Sequence, residues 1–259
     1  MAGRVEAQLV ATFGKASLTT SEAFRLIGTP VPGGILVVSD HASNRVPDDI
    51  DLGVDPALLT QHVAIDIGVD PIGQIMAEVE GVATFQGNVS RLVCDFNRDR
   101  DSAGVVPLAS DGHAIPGNDL SPEDREARIA RYFDPYHTAL AALLEEANPA
   151  LVVSLHSFTP ALATCEKPRP WQVGVLYNQD DRAARVAIRQ LEMEGLVVGD
   201  QEPYSGVLLN ATMNRHCESF GRPYVGIELR QDMAGRESWQ PGLARMLVQI
   251  ARQAVRELE

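Results

Sequence analysis

Two histidines, a glutamate and two arginines stand where short apolar runs of this chain stop. ILVVS (35–39) runs into Asp40-His41, and RLVCDF (91–96) runs into Asn97-Arg98. LVVSL (151–155) runs into His156, and YVGI (224–227) into Glu228, with Arg230 two residues on. Taken singly, each has an ordinary reading as a packing histidine or a solvated arginine; four together point to a site. Two histidines and a carboxylate, with water in a fourth position, make a catalytic zinc set. His41 and His156 are much too far apart in sequence for a helical HExxH pair, so different strands must deliver them. Zinc brings the pKa of its water to about 7, and a nearby carboxylate can take the proton during attack on a carbonyl. Glu228 is the candidate for that base. Arg98 offers a planar fork suited to a substrate carboxylate.

The elements that must position these residues alternate between strand and helix. ILVVS, VATF (82–85), RLVCDF, ALVVSL, VGVLY (173–177) and YVGIEL (224–229) read as short buried strands. A helix is expected over much of 55–81, broken near Pro71. The clearest helix runs through 121–148: Ser121 N-caps it, Pro122 suits its first turn, and Ile129, Phe133, Tyr136, Leu140 and Leu143 mark its buried face. Pro135 is expected to kink or shorten it. Further helices are expected from about 181 to 194, near ATMNRHCESFG and at the C-terminus. Residues 97–120, rich in Asp, Gly and Pro, form a long loop of the kind that often carries function. Strands apolar on both faces imply one α/β domain over residues 1–259, with 1–30 a peripheral lead-in. Its sheet is mostly parallel but mixed, with helices on both faces, and ligands in such sheets sit beyond the carboxyl ends of the strands.

Composition excludes several classes. The 259 residues, 45% hydrophobic, suffice for a proper core. A net charge of -13 argues against a nucleic-acid partner, which is held by excess Lys and Arg. The apolar stretch in VEAQLVATFGKASL is too short for a signal peptide, and no run approaches a membrane span. Cys94, Cys165 and Cys217 are widely spaced and form no CxxC, which suits a reducing cytoplasm. No P-loop, GxGxxG or GxSxG occurs where it would matter, so nucleotide binding and serine hydrolysis are not indicated. Nothing in the pattern sets an oligomeric state. His62 and His137 read as surface or packing residues, while His113, Arg215 and His216 are within reach of a site without a strand-end argument.

The segments VVSDHASNRVP, AIDIG, SRLVCDFNRD, IPGN, LHSFTP and GIELRQD, in this order, resemble the N-formylglutamate amidohydrolase family from about Ile35 to Met233. The resemblance implies a zinc-dependent amidohydrolase of the zinc-exopeptidase (phosphorylase/hydrolase-like) fold, related to the zinc carboxypeptidases and aspartoacylases. It implies cleavage of N-formyl-L-glutamate to formate and L-glutamate, late in a histidine-degradation route. By that likeness Asn97 and Arg98 bind the substrate carboxylate, with Arg91 and Arg230 as further candidates, and Glu228 is the acid/base residue. The carboxypeptidase relatives carry HxxE as their first metal motif, whereas this chain has His41-Ala-Ser-Asn44. Three arrangements follow: Asn44 as a weak ligand, Asp66 of AIDIG as the carboxylate, or two histidines alone. Asp66 is the preferred third ligand beside His41 and His156. Asp40 is expected behind the site. The rivals are a deacylase for another N-acyl amino acid or short peptide, and a binding protein that has lost its metal.

Overall fold

A computed structural model describes residues 9–13, 16–165 and 167–259. Nine of its strands form one sheet: β1 (Leu9–Phe13), β2 (Ala16–Thr20), β3 (Phe24–Ile27), β4 (Ile35–Ser39), β5 (Val82–Gly87), β8 (Leu151–Phe158), β9 (Val173–Leu176), β10 (Val198–Asp200) and β11 (Tyr224–Arg230). Between them in sequence, β6 (Ala109–Ser110) and β7 (His113–Ala114) make a small separate hairpin. The spatial order is β1-β2-β3-β5-β4-β8-β11-β9-β10. The centre, β5-β4-β8-β11, is parallel. The first three strands join β5 as an antiparallel meander, and β9 runs antiparallel to β11. The fold is therefore the expected α/β domain with a mixed sheet.

Why the central strands are apolar throughout is visible in where their side chains go. Ile35, Val37, Val153, Leu155, Val225 and Ile227 enter one core, which α1 (Val69–Ala77), α4 (Arg182–Met193) and α7 (Gln240–Leu258) cover. Leu36, Val38, Val152 and Tyr224 enter the other, with Tyr136, Leu140 and Leu144. Successive residues alternate faces, and both faces are dry, so neither can be polar. Two short helices, α5 (Ala211–His216) and α6 (Gln231–Ala234), flank β11 in sequence.

Four expectations change. RLVCDF is not a strand but a series of turns: Val93 and Cys94 N–H both donate to the Ser90 carbonyl, and the Ser90 hydroxyl accepts from Leu92 N–H. Its apolar residues are buried because the turn lies inside the second core, a burial that short apolar runs share with strands. Residues 55–81 hold a short 3-10 helix, Pro56–Thr60, before α1, and Pro71 sits in the first turn of α1 rather than breaking a long helix. The helix at 121–148 runs as α2 (Pro122–Arg128), a π-helical stretch Ile129–Phe133 and α3 (Asp134–Ala147). The wider π turn just before Pro135 carries the helix past a residue that lacks an N–H. Of the lead-in, residues 1–8, 14 and 15 lie outside the described residues, while β3 pairs with β5 as part of the sheet.

Candidate metal centre and substrate cleft

β8 and β11 are adjacent and parallel, with His156 opposite Glu228 in register. Both side chains project on the face that Val152 and Tyr224 share, by the two-residue period of a strand. His41 lies in the turn just after β4, and Asp66 in the turn leading to α1. A backbone bond from Asp66 N–H to the His41 carbonyl, 3.0 Å, sets these two segments side by side. Gly68 of AIDIG lets the same segment pack closely against Ala234 at the end of α6. It sits at φ +83°, and a Cβ there would come within 2.1 Å of the Ala234 carbonyl oxygen.

The result is one buried cluster. Asp66 Oδ2 lies 2.8 Å from His156 Nδ1 and 3.4 Å from His41 Nδ1. One ligand atom from each of His41, Asp66 and His156 lies within 4.8 Å of the others, so the three can hold a metal ion. The far side of each ring has its own carboxylate: His41 Nε2 meets Asp95 Oδ1 at 2.7 Å, and His156 Nε2 faces Asp40 Oδ2 at 3.4 Å. At His41 the contact is a hydrogen bond, and a ring that donates Nε2–H to a carboxylate keeps its Nδ1 lone pair for a cation, the usual outer support of a metal-binding histidine; at His156 the two atoms face each other without a hydrogen bond. The donor set and its backing therefore fit a divalent cation. Asp40 in turn accepts from Tyr136 OH at 2.8 Å and Thr212 Oγ1 at 2.9 Å.

Charge follows the same layout. Burial alone would lower the pKa of both imidazoles; Asp40 and Asp66 overcome it at His156 and hold it well above its ordinary value. His41 is also raised, against burial and Arg91, by Asp95 and Asp66. Burial favours protonation of Asp66 and Asp95, but His41 and Arg91 outweigh it and keep both carboxylates below their usual range. Glu228 goes the other way. Burial, assisted by Asp66, pushes it up to about 7, and its Oε2 is buried with no hydrogen-bond partner among the described residues.

A cleft of about 310 Å³ opens onto this floor. His41, Asp66, His156 and Glu228 line it, as do Arg91, Asn97 and Arg98. Arg91 is spent on Asp66 (3.2 Å) and Asp95 (3.3 Å). Arg98 Nε donates to Asp95 at 3.2 Å, and its two terminal nitrogens bond to no described residue. Asn97 Oδ1 accepts from Thr212 N–H at 3.1 Å, which leaves the Asn97 amide nitrogen as a donor. Two sequence candidates are not brought in. Asn44 is exposed and does not line the cleft. Arg230 is tied to Asp232 at 2.8 Å and to the Pro170 and Trp171 carbonyls, also outside it. His62, expected at the surface or in packing, instead lines the cleft, its Nε2 on Asp111 at 2.9 Å. Thr159 and Tyr204 line it as well; Thr159 sat in a quoted segment, while Tyr204 lies in an aperiodic loop with no local signal.

A mixed α/β sheet that gathers two imidazoles and a carboxylate at the floor of an open cleft defines a hydrolase-type centre. The family model described as N-formylglutamate amidohydrolase matches residues 33–234, and the chain belongs to that family. Among solved structures it is similar to a gene product of Agrobacterium tumefaciens, with a TM-score of 0.84 and 28% identity over 92% of this chain and 96% of that one. It also shares the fold of an N-formylglutamate amidohydrolase from Ralstonia eutropha JMP134, with a TM-score of 0.72 and 20% identity over 91% and 98%. No curated protein matches it. Among the described residues no helix is long and apolar enough to cross a membrane.

Proposed function

We propose that this protein is a zinc-dependent amidohydrolase that cleaves N-formyl-L-glutamate to formate and L-glutamate. The observation that carries the reading is the buried His41–Asp66–His156 cluster opening into a cleft that also holds Glu228. Family membership supports the reaction class. Two imidazole nitrogens and one carboxylate oxygen suit zinc, with a coordination position left for water. Bound there, the cation supplies Lewis-acid polarisation of the formyl oxygen and acidifies water.

The chain's own residues account for the remaining steps. Glu228 takes a proton from the attacking water as the new C–O bond forms at the formyl carbon. It returns that proton to the amine nitrogen as the C–N bond breaks, which gives formic acid and a neutral amine; transfer of the acid's proton to the amine then leaves formate and an ammonium. Asn97 and Arg98 present N–H donors to a substrate carboxylate and fix the amide over the floor. Arg91, bonded to Asp66 and Asp95, keeps both ionised. With a net charge of -13 and no membrane-spanning helix among the described residues, a small N-acylated acidic amino acid is the partner, rather than nucleic acid or a bilayer.

The test is formate release from N-formyl-L-glutamate by protein whose metal content has been determined. Expected are near-stoichiometric zinc and turnover that a chelator abolishes. Glu228→Gln should keep the metal and the fold yet lose about 10²–10⁴-fold in kcat. Zinc-loaded protein that releases no formate would overturn the reading.

A further inference from the structure

Asp111 takes no part in the reaction above, yet its carboxylate gathers four contacts. It stands with Gly112 at the tip of the β6–β7 hairpin, a two-residue turn flanked by the paired Ser110 and His113. Both tip residues have positive φ, +41° and +83°, the conformation that such turns need and that Asp-Gly supplies. The turn accounts for the backbone but not for the side chain, which has no need to leave water on that ground. It is only 6% exposed, and its partners lie some 50 residues away in the chain. Asp111 Oδ1 accepts from Thr164 N–H at 3.0 Å and from Thr164 Oγ1 at 2.6 Å. Its Oδ2 accepts from Ala163 N–H at 3.0 Å and lies 2.9 Å from His62 Nε2. Burial favours protonation of this carboxyl, but the bonds from Thr164, Ala163 and His62 outweigh it and hold the group below its usual range.

Those bonds close one wall of the cleft. After Phe158 the chain leaves β8 and, among the described residues, enters no helix or further strand of the sheet before Val173. Thr159, Leu162 and Thr164 from this stretch line the cleft, and so do His62, Ser110 and Asp111. Gly112 keeps the approach close, since a Cβ there would lie 3.3 Å from Thr164 Cγ2. Three lining segments thus meet on one carboxylate. The geometry points to Asp111 as a positioning residue, a latch that holds the 159–164 segment in place against bound substrate. A wall outside the sheet keeps its shape through bonds of this kind, and two of them use backbone N–H groups that no strand pairs. Substrate that meets a wall already fixed loses less affinity to ordering it. The inference rests on the proposed reaction only for the substrate used in one assay.

Asp111→Asn separates the latch from the turn. Asparagine also tolerates the left-handed tip, but it offers one acceptor oxygen and no charge. In the full-length, zinc-loaded variant, amide hydrogen exchange read by mass spectrometry should run about 10–100-fold faster over 159–165, the range for losing hydrogen bonds to a charged group. Exchange over 151–158 should not change. KM for N-formyl-L-glutamate should rise about tenfold while kcat changes less than about threefold, a split that loss of folded protein would not give. Thr164→Val, which removes only the hydroxyl, should raise exchange and KM by less, and Thr164→Ser should match the wild type. Those two variants decide the matter if Asp111→Asn folds poorly. The latch is overturned if exchange over 159–165 stays at the wild-type rate, if it quickens with KM unchanged, or if kcat alone falls. Faster exchange in the variant, with a wild type that releases no formate, leaves the latch standing and removes the hydrolase reading. Formate release with unchanged exchange does the reverse.

Discussion

Two pairs of buried histidines lie in this chain with the same spacing, ring centroids 5.1 Å apart in each, and their chemistry is opposite. His41 and His156 are each set between carboxylates, Asp95 and Asp66 for one, Asp40 and Asp66 for the other. His137 and His216 touch no carboxylate among the described residues. The Phe96 carbonyl can only accept, so His137 carries its proton on Nε2 and donates there at 3.0 Å. Its Nδ1 must then accept from His216 Nε2–H at 2.9 Å. Burial and the nearby Arg215 push His137 down to about 3 and His216 to about 4, so this pair is neutral packing. The first pair instead sits among three buried carboxylates that favour a positive charge, which a divalent cation bound there would supply. Burial is common to both pairs; the partner on the far nitrogen decides which pair can serve a metal.

The sharpest way to break the comparison is His156→Ala. It removes one ligand and strips Asp40 and Asp66 of a buried partner, a loss of about 3–5 kcal/mol for an ion pair broken on one side. Metal content should fall from near one per chain to a small fraction, with formate release undetectable. Retained stoichiometric metal, read by elemental analysis, would take His156 out of the centre.

Asp95→Asn probes the backing alone. The proposed ligand His41 remains but its Nε2 loses a charged acceptor. Zinc affinity, measured by competition with a chelator, should weaken about 10–100-fold. An unchanged affinity would mean that Asp95 serves only Arg91 and Arg98.

The last effect belongs to the neutral pair and falls on stability, not on the metal centre. A histidine whose folded pKa is depressed contributes stability that is complete above its unfolded value and is lost as pH falls toward the folded one. For His216 that window runs from about 6.5 down to about 4. His216→Gln can still donate to His137 and does not titrate there. The drop in unfolding free energy between about pH 7 and pH 4, from urea melts, should shrink by up to about 3 kcal/mol. A drop as steep as in the wild type would show that another group carries the acid sensitivity.

Much of this was legible in the chain, and the failures have physical causes. His41, His156 and Glu228 each follow a run of branched aliphatics, and a parallel sheet puts such termini on one edge. Asn97 and Arg98 reach the same cleft although RLVCDF is no strand, because a turn buried in the second core looks like a strand in composition. The sequence set His41 and His156 apart by their strand ends, but it carried no sign that His137 and His216 form a second buried pair. His137 reads as a helix packing residue and His216 as a neighbour of the site, and nothing local says which ring will meet Asp95 or Phe96. Tyr204 lies in an aperiodic loop, and nothing local in the sequence places it in the cleft lining.

The sequence by itself determined the layered α/β plan, since side-chain period and β-branching act through neighbours along the chain. It also supplied the strand-end residues able to bind metal and move protons. Only the tertiary structure decided which carboxylate stands beside the two Nδ1 atoms and which histidines remain neutral. Those outcomes are set by distances of a few ångströms between segments 25 to 90 residues apart, where the low dielectric of the interior makes each contact count.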